Sequence, residues 1–154
     1  MCSKRSDPRD GRVSFEGPIH DRGRLIREMR PRLHEGTYAF CALPEGVAVP
    51  LSAVASFREA EGVSVIIPLE DAGPAGLRPA FECAWITLEV HSALEAVGLT
   101  AAVARVLTAA DIPSNVVAAL HHDHLFVPVD RGQDAMRALR TLTRESLAES
   151  PDTT

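Results

Sequence analysis

The chain has 154 residues, enough for one domain or for two very small ones that share a core. Its 45% apolar and 24% charged residues are typical of a globular protein, and no apolar run approaches the ~20 residues needed to cross a bilayer. Three scattered cysteines without a CxxC pair argue against a disulfide framework and against a thiolate metal site. The same cysteine usage favours a reducing compartment, so we expect a cytoplasmic protein, and no signal peptide opens the sequence.

The net charge of -5 is unevenly distributed. Residues 1–32 hold nine Lys or Arg and five Asp or Glu, a balance of +4, so the remainder carries -9. A basic arm on an acidic body can contact nucleic acid, but no aromatic interleaving or known reading motif accompanies it. We therefore interpret the arm as a solvated tail and expect neither a nucleic-acid nor a membrane partner.

The first half of the chain predicts a disordered tail followed by short elements. Runs that are apolar on both faces indicate covered strands, and Pro68 suggests that the second of these strands ends near an edge. The predicted elements are a tail at 1–22, a helix at 23–30, a strand Thr37–Leu43, a helix Leu51–Glu61 with Leu51, Val54, Ala55 and Phe57 inward, a strand Val63–Ile67, and a boundary loop at 70–80.

The second half has a clearer periodicity. It reads as a strand, a helix, two strands joined by a two-residue turn, and a closing helix with Asp130 as its N-cap. The predicted elements are strand Ala84–His91, helix Leu99–Ala110, strand Asn115–His121, turn His122–Asp123, strand His124–Val129, and a helix carrying Ala135, Met136, Leu139, Leu142 and Leu147.

This order, β-α-β-β-α, lacks one strand of a ferredoxin-like domain. A missing edge strand would leave unpaired backbone groups beside a core strand. We expect the N-terminal half either to complete the sheet or to form a second, abbreviated copy packed against the first. The predicted divisions are 1–22 (tail), 23–80 (N-terminal half), 81–147 (C-terminal domain) and 148–154 (disordered tail).

The turn after the strand Ala84–His91 contains the candidate binding site. Ser92 and Glu95 match the capping-box pattern S-x-x-E, and Gly98 is placed to redirect the chain into the longer helix. Free N–H groups near Leu99 and Thr100 would form a site for a carboxylate or a phosphate. The alternative is that Gly98 only makes a tight corner and these donors face water.

The chain resembles the ACT domain, a βαββαβ module that senses small molecules. The resemblance lies in VHSALEAVGLTAAV…NVVAALHHDHLFVP and extends upstream through TYAFCALP and FREAEGVSVIIP, over roughly residues 23–145. It is similar in particular to small stand-alone bacterial ACT proteins. The resemblance implies an α+β, ferredoxin-like ACT fold, with an abbreviated N-terminal ACT-like half and a C-terminal ACT domain.

The resemblance also implies amino-acid binding at an interface between ACT units. The loop after the first strand would line one side of the site, and Asn115 would reach in from a neighbouring unit. Asn115 suits this role because its amide both donates and accepts hydrogen bonds. The loop from His91 to Gly98 is longer than in serine-sensing ACT domains and lacks their Asn-Arg-Pro. The implied ligand-binding residues are His91, Ser92, Val97, Gly98, Leu99, Thr100 and Asn115.

A cluster of histidines provides a second hypothesis. We expect His91, His121, His122 and His124 to converge on one rim of the sheet beside Asp123, with His121 opposite His124. Such a rim would suit Zn²⁺, although His-Asp also suits a simple turn.

We therefore predict a regulatory sensor that binds an amino acid, has no catalytic activity, and needs no metal or cofactor. The resemblance implies a homodimer. With no catalytic domain attached, the target would be another protein, or the protein would act as a store or scavenger. The alternatives are a metal-dependent enzyme using His91, His121 and His124, and a structural dimerisation module.

Overall fold

The computed structural model describes residues 18–148, in which four α-helices pack on a seven-stranded sheet. All paired strands are antiparallel. The helices are α1 Arg22–Glu28, α2 Leu69–Ala72, α3 Leu99–Ala109 and α4 Gly132–Ala148, the last preceded by a 3-10 helix Val129–Arg131. The strands are β1 Pro31–Leu33, β2 Tyr38–Leu43, β3 Ala55–Glu59, β4 Gly62–Pro68, β5 Pro79–Leu88, β6 Asn115–Ala118 and β7 Asp123–Pro128. Within this range no helix is both long and apolar enough to cross a membrane.

The ten-residue strand β5 organises the sheet, whose order is β3-β4-β2-β5-β7-β6. Its first half pairs with β2 between Pro79 and Cys83, and its second half pairs with β7 between Cys83 and Leu88. The short strand β1 pairs with residues 86–88 of β5, on the edge opposite β7. Strand β5 therefore belongs to two smaller sheets at once.

Those smaller sheets are two ferredoxin-like units. The N-terminal unit has the order β5-β2-β4-β3, and the C-terminal unit has the order β1-β5-β7-β6. The hypothesis that the N-terminal half completes the C-terminal sheet is confirmed, because β1 supplies its fourth strand. The N-terminal unit is abbreviated, with only the four-residue α2 in its helical layer.

The helices lie on one face of the sheet, and the two units have unequal cores there. In the N-terminal unit a small cluster is covered by α2 and the loop that follows it: Ala39, Cys41, Leu43, Val65, Ile67, Ala72 and Leu77. In the C-terminal unit α1, α3 and α4 cover a larger cluster that includes Leu25, Ile86, Leu88, Val103, Leu107, Leu125 and Leu139. Most of the burial, and hence most of the hydrophobic stabilisation, lies in the C-terminal unit.

The predicted helix Leu51–Glu61 is wrong. Residues 55–59 form the edge strand β3, and Leu51 is fully exposed. The backbone N–H of Val54 donates to the Ile66 carbonyl at 2.8 Å, so the pairing with β4 begins one residue before β3 itself. The hairpin turn before Gly62 (φ +138°) returns the chain directly, and its cross-strand bonds override a marginal helical pattern. Strand β4 is consequently internal, rather than near an edge.

Three further boundaries differ from the predictions. Strand β5 begins at Pro79 rather than Ala84 and ends at Leu88 rather than His91. Asp130 is not an N-cap, because it lies within the 3-10 helix that precedes α4. Helix α3 matches its prediction to one residue, because its apolar stripe is buried as the spacing required.

The predicted tails fall mostly outside the described residues. Residues 1–17 and 149–154 lie outside them, whereas residues 18–22 are packed against the body. Ile19 is buried and bridges to Ser92, and Asp21 caps α1 by accepting from the backbone N–H of Arg24 at 2.7 Å. The expectation of a disordered tail therefore does not hold for residues 18–22.

We predict that Ile86→Ala lowers the free energy of unfolding by about 2–5 kcal/mol, because Ile86 is fully buried between Leu33 of β1 and Leu125 of β7. Urea denaturation followed by circular dichroism and by the fluorescence of Trp85 would measure it, and both signals should move together because β5 is shared. The control Leu147→Ala, at a side chain 55% exposed, should change stability by less than about 0.5 kcal/mol. Separate transitions, or a loss below about 1 kcal/mol, would contradict the shared-strand account.

Candidate functional site

The loop between β5 and α3 is held in place by the N-terminal segment. The backbone N–H of Ile19 donates to the His91 carbonyl at 2.8 Å, and that of Ala93 donates to the Ile19 carbonyl at 3.0 Å. Ala93 is buried, whereas Leu94 is 63% exposed. The loop thus has a fixed inner edge and an open outer edge.

The predicted capping box is absent. The Ser92 hydroxyl donates to the Ala93 carbonyl at 3.2 Å, and α3 begins only at Leu99. The N-cap of α3 is Gly98, which has a φ of +106° and provides no side-chain cap. The first N–H groups of a helix have no intrahelical partner, so those at the start of α3 are available as donors.

Gly98 is required here by conformation and by space. Its positive φ is unfavourable for residues with a side chain. A Cβ at this position would lie 2.6 Å from Cδ of Arg22, which passes over the turn from α1. The glycine therefore allows α1 and the start of α3 to approach closely.

A small cavity of about 50 Å³ lies between the start of α3 and the hairpin of β6 and β7. This volume accommodates a charged group and its hydrogen atoms, rather than a whole ligand. The lining residues are Ser92, Ala93, Leu94, Ala96, Leu99, Thr100, Ala118, Ala119, His122 and Asp123.

Asp123 is the unusual member of this lining. It is only 8% exposed, and its carboxylate receives no hydrogen bond from any described residue. Burial raises the pKa of Asp123 above its ordinary value, and the nearby charge of His122 partly offsets that rise. Among residues 18–148 no buried side-chain oxygen lacks a hydrogen-bond partner, so the carboxylate oxygens of Asp123 remain in contact with solvent although most of the residue is covered.

The sequence placed Asp123 in a turn, and that prediction is wrong. The loop of the hairpin is Ala119–His122, closed by the backbone N–H of Ala119 donating to the His122 carbonyl at 3.1 Å. Asp123 is the first residue of β7 and pairs with Ala118. The sequence suggested a turn because Asp is common in turns. The burial of Asp123 arises instead from tertiary packing, which no local pattern reveals.

Three of the four histidines lie near one another, and His124 lies apart from them. The rings of His91 and His121 lie 5.7 Å apart, and Nδ1 of His122 donates to the Val90 carbonyl at 3.2 Å. His124 pairs with Val117 rather than standing opposite His121, and it contacts Trp85. Among residues 18–148 no three His, Cys, Asp or Glu side chains are arranged to hold a metal ion.

The sheet face opposite the helices carries a polar network that the sequence did not indicate. The ring of His34 stacks on Trp85 with centroids 3.5 Å apart. The indole N–H of Trp85 donates to Nδ1 of His124 at 3.1 Å, and the Thr87 hydroxyl lies 3.0 Å from the same nitrogen. The indole N–H can only donate, so Nδ1 of His124 accepts its hydrogen bond and also that of the Thr87 hydroxyl. Because the single hydrogen of that hydroxyl is then used, the Thr87 oxygen accepts from Nε2 of His34 at 2.7 Å.

The surroundings of this network favour the neutral form of both histidines. Burial lowers the pKa of His34, and the positive charge of Arg32 lowers it further. Burial also lowers the pKa of His124, with smaller contributions from His122 and Arg32. Only long-range pairing brings His34 beside these strands, so no sequence spacing could have identified it.

The predicted ligand-binding residues divide into two groups. His91, Ser92, Val97, Gly98, Leu99 and Thr100 occupy the same loop and helix start, with Ser92, Leu99 and Thr100 in the cavity wall. Asn115 is exposed at the opposite end of β6 from Ala118, which lines the cavity. Within one chain, Asn115 is therefore remote from the loop.

Comparison with known families agrees with the division at β5. An ACT domain profile matches residues 18–84, and a second ACT domain profile matches residues 80–141. The chain belongs to the ACT domain family. The two matches overlap only at residues 80–84, within the strand that both ACT units share. The predicted family and the ferredoxin-like α+β fold are thus confirmed.

Solved structures show similar architecture. A Vibrio cholerae protein of unknown function, described as a possible transport protein, is 40% identical with a TM-score of 0.67, covering 79% of this chain and 94% of its own. An Agrobacterium tumefaciens protein is 18% identical with a TM-score of 0.59, covering 75% and 90%. The regulatory subunit of aspartate kinase from Thermus thermophilus, ligand free, is 9% identical with a TM-score of 0.56, covering 73% and 95%, which shows a shared fold alone. Comparison with curated proteins gave no match.

Membership in the ACT domain family supports a regulatory, ligand-binding role, and no catalytic family is matched. The buried thiols fit that role. Burial raises the pKa of Cys83 to about 12 and also raises the pKa of Cys41, so neither is a ready thiolate nucleophile.

We predict that the network of His34 and His124 makes stability fall in mild acid. A histidine whose pKa is lowered on folding contributes stability that is complete above its ordinary pKa of 6.5 and is lost as the pH falls through the lower native value. The thermal midpoint should therefore decrease from pH 7.5 to pH 5, and the double variant His34→Gln/His124→Gln should show a shallower decrease.

The raised pKa of Asp123 acts in the opposite direction, since its contribution is lost as the pH rises above the ordinary 3.8. This effect of Asp123 is present in the wild type and in the double variant, so it cancels when the pH dependence of their thermal midpoints is compared. His20→Gln, at an exposed histidine, is the matched control and should retain the wild-type slope. An unchanged slope in the double variant would contradict the assignment.

Proposed function

We propose that this ACT protein is a non-catalytic sensor of an α-amino acid or a closely related small carboxylate. The observation that supports the proposal is the cavity at the start of α3, whose lining includes both the first helical residues Leu99 and Thr100 and the largely buried Asp123. An amino acid presents the complementary pair of groups, a carboxylate and an ammonium.

The carboxylate of the ligand would bind at the start of α3. The N–H groups of Leu99 and Thr100 and the positive end of the helix dipole favour an anion there. Gly98 leaves these donors without a competing side-chain cap. The Thr100 hydroxyl adds a further donor in the cavity wall.

The ammonium of the ligand would bind to Asp123. A buried carboxylate is stabilised in its charged form by a nearby cation, which offsets the cost of removing it from water. The cavity is too small for a complete amino acid, so the ligand side chain would extend past the open outer edge of the loop, toward His91 and the exposed Val97.

A second copy of the chain would complete the site. Strand β6 is an edge of the sheet, with its outer backbone groups available for pairing. Antiparallel pairing of two β6 strands about a two-fold axis at Val116 or at Val117 would bring Asn115 of one copy within one residue of Ala118 of the other. Asn115 would then reach the neighbouring cavity, which accounts for its distance from the loop within one chain.

We further propose that this homodimer works in the cytoplasm and passes its occupancy to another protein. The absence of a matched catalytic family leaves a separate target as the simplest output. Neither a cofactor nor a nucleic acid is required by the proposed site.

A thermal-shift screen of the twenty amino acids tests the proposal. A ligand that binds only the folded protein at 100 times its Kd adds about 2.7 kcal/mol to stability, so one amino acid or a related few should raise the midpoint. The same acid without its amine should give no shift, because Asp123 would have no cation to bind. A flat screen would refute amino-acid sensing, and equal shifts with and without the amine would refute the role of Asp123.

We predict opposite effects of Asp123→Asn on stability and on binding. The variant should raise the midpoint of the ligand-free protein at pH 7.5, because it removes a buried charge, and it should weaken binding of the amino acid found in the screen by at least about tenfold. Glu95→Gln, at an exposed acid in the same loop, is the control and should change neither quantity.

Asn115→Ala should weaken binding of the amino acid without lowering the thermal midpoint of the ligand-free protein. Unchanged affinity would exclude Asn115 from the site.

A further inference from the structure

A concave surface with four arginines lies on the helical layer. We call it the arginine groove. It has a volume of about 580 Å³ and lies between α4 and the chain that joins α1 to β1. Its lining residues are Met29, Arg30, Pro31, Arg137, Arg140, Thr141, Thr143 and Arg144.

The spacing along α4 explains how the arginines come together. Arg137, Arg140 and Arg144 are three and four residues apart, so they lie on one face of the helix. Arg30 enters from the opposite wall, immediately before β1. Met29 is 1% exposed, and with Pro31 it gives the groove an apolar floor.

Most of this positive charge has no carboxylate partner among the described residues. The side chains of Arg30 and Arg140 make no hydrogen bond or ion pair within residues 18–148. Arg144 donates to the neutral hydroxyl of Thr141 at 3.0 Å. Arg137 pairs with Asp134, whose other oxygen already binds Arg131.

Two nearby acidic residues are paired with other arginines, and Glu145 of α4 lines two other surfaces of the helical layer. Glu28 pairs with Arg24 at 2.6 Å on α1, and Glu89 pairs with Arg32 across β1 and β5. The chain as a whole has a net charge of -5, so the groove is a local reversal of sign. Such a concentration of like charge in a concavity attracts anions and is relieved when one binds.

We propose that the arginine groove binds a small phosphorylated anion carrying more than one negative charge. Guanidinium groups bind phosphoryl oxygens through paired N–H donors, and four of them face one concavity. The volume is within the range of small-molecule sites, and the apolar floor suits the organic part of such a ligand. The site is separate from the cavity at the start of α3, and it does not depend on amino-acid binding.

Titration calorimetry with inorganic tripolyphosphate tests the proposal directly. Tripolyphosphate should bind more tightly than inorganic phosphate at 50 mM NaCl, and the affinity should fall at 300 mM NaCl because the charges are exposed. Arg30→Gln and Arg140→Gln should each weaken binding by at least about tenfold, the loss expected for a hydrogen bond to a charged group.

Arg58→Gln, at an exposed arginine on the distant strand β3, is the matched control and should leave the affinity unchanged. Circular dichroism should show that all three variants remain folded. Absence of tripolyphosphate binding, or equal binding by wild type and both groove variants, would overturn the proposal. A single-stranded oligonucleotide that binds more tightly than tripolyphosphate, and loses affinity in the same variants, would replace the small anion with a nucleic acid.

Discussion

The fold depends on one strand serving two sheets. Strand β5 gives its first half to the N-terminal unit and its second half to the C-terminal unit, and Cys83 takes part in both pairings. Without β5 the C-terminal unit would retain only the pair of β6 and β7, which is marginal in water, and the N-terminal unit would retain three strands over a small core. The N-terminal unit, with its small core under a four-residue helix, therefore draws its stability from the larger unit beside it. This sharing accounts for a chain that matches two ACT domains within 124 residues.

The same arrangement sets the position of the candidate cavity. The end of β5, the start of α3 and the hairpin of β6 and β7 meet at one edge of the C-terminal unit. The N-terminal segment closes this region through the bridge of Ile19 to Ser92 and the side chain of Arg22 over Gly98. Asp123 lies there without a hydrogen-bond donor among residues 18–148, and its oxygens remain in contact with solvent. The carboxylate is therefore accessible to the cationic group of the proposed ligand.

The sequence was sufficient where local pattern and tertiary environment agree. The stripe of Leu99, Val103 and Leu107 predicted α3 almost to the residue, and the missing strand correctly implied help from the N-terminal half. It was insufficient where long-range pairing decides the outcome. The segment Ala55–Glu59 satisfies a helical spacing but is a strand because β4 lies beside it. The burial of Asp123 and the stacking of His34 on Trp85 each join residues far apart in the chain, so no local periodicity could reveal them. In the arginine groove the three arginines of α4 follow a helical spacing, but the approach of Arg30 depends on tertiary packing.

The origin of β1 has a consequence for synthesis. The strand that completes the C-terminal sheet lies upstream of it, and its partner residues in β5 follow 53 to 57 positions later. At about 5–20 residues per second, β1 leaves the ribosome several seconds before it can pair. It is only three residues long and begins with Pro31, features that limit pairing with other chains during that interval. The C-terminal ACT unit must therefore recruit a strand that has already been made, and a fragment beginning at β5 would be produced without it.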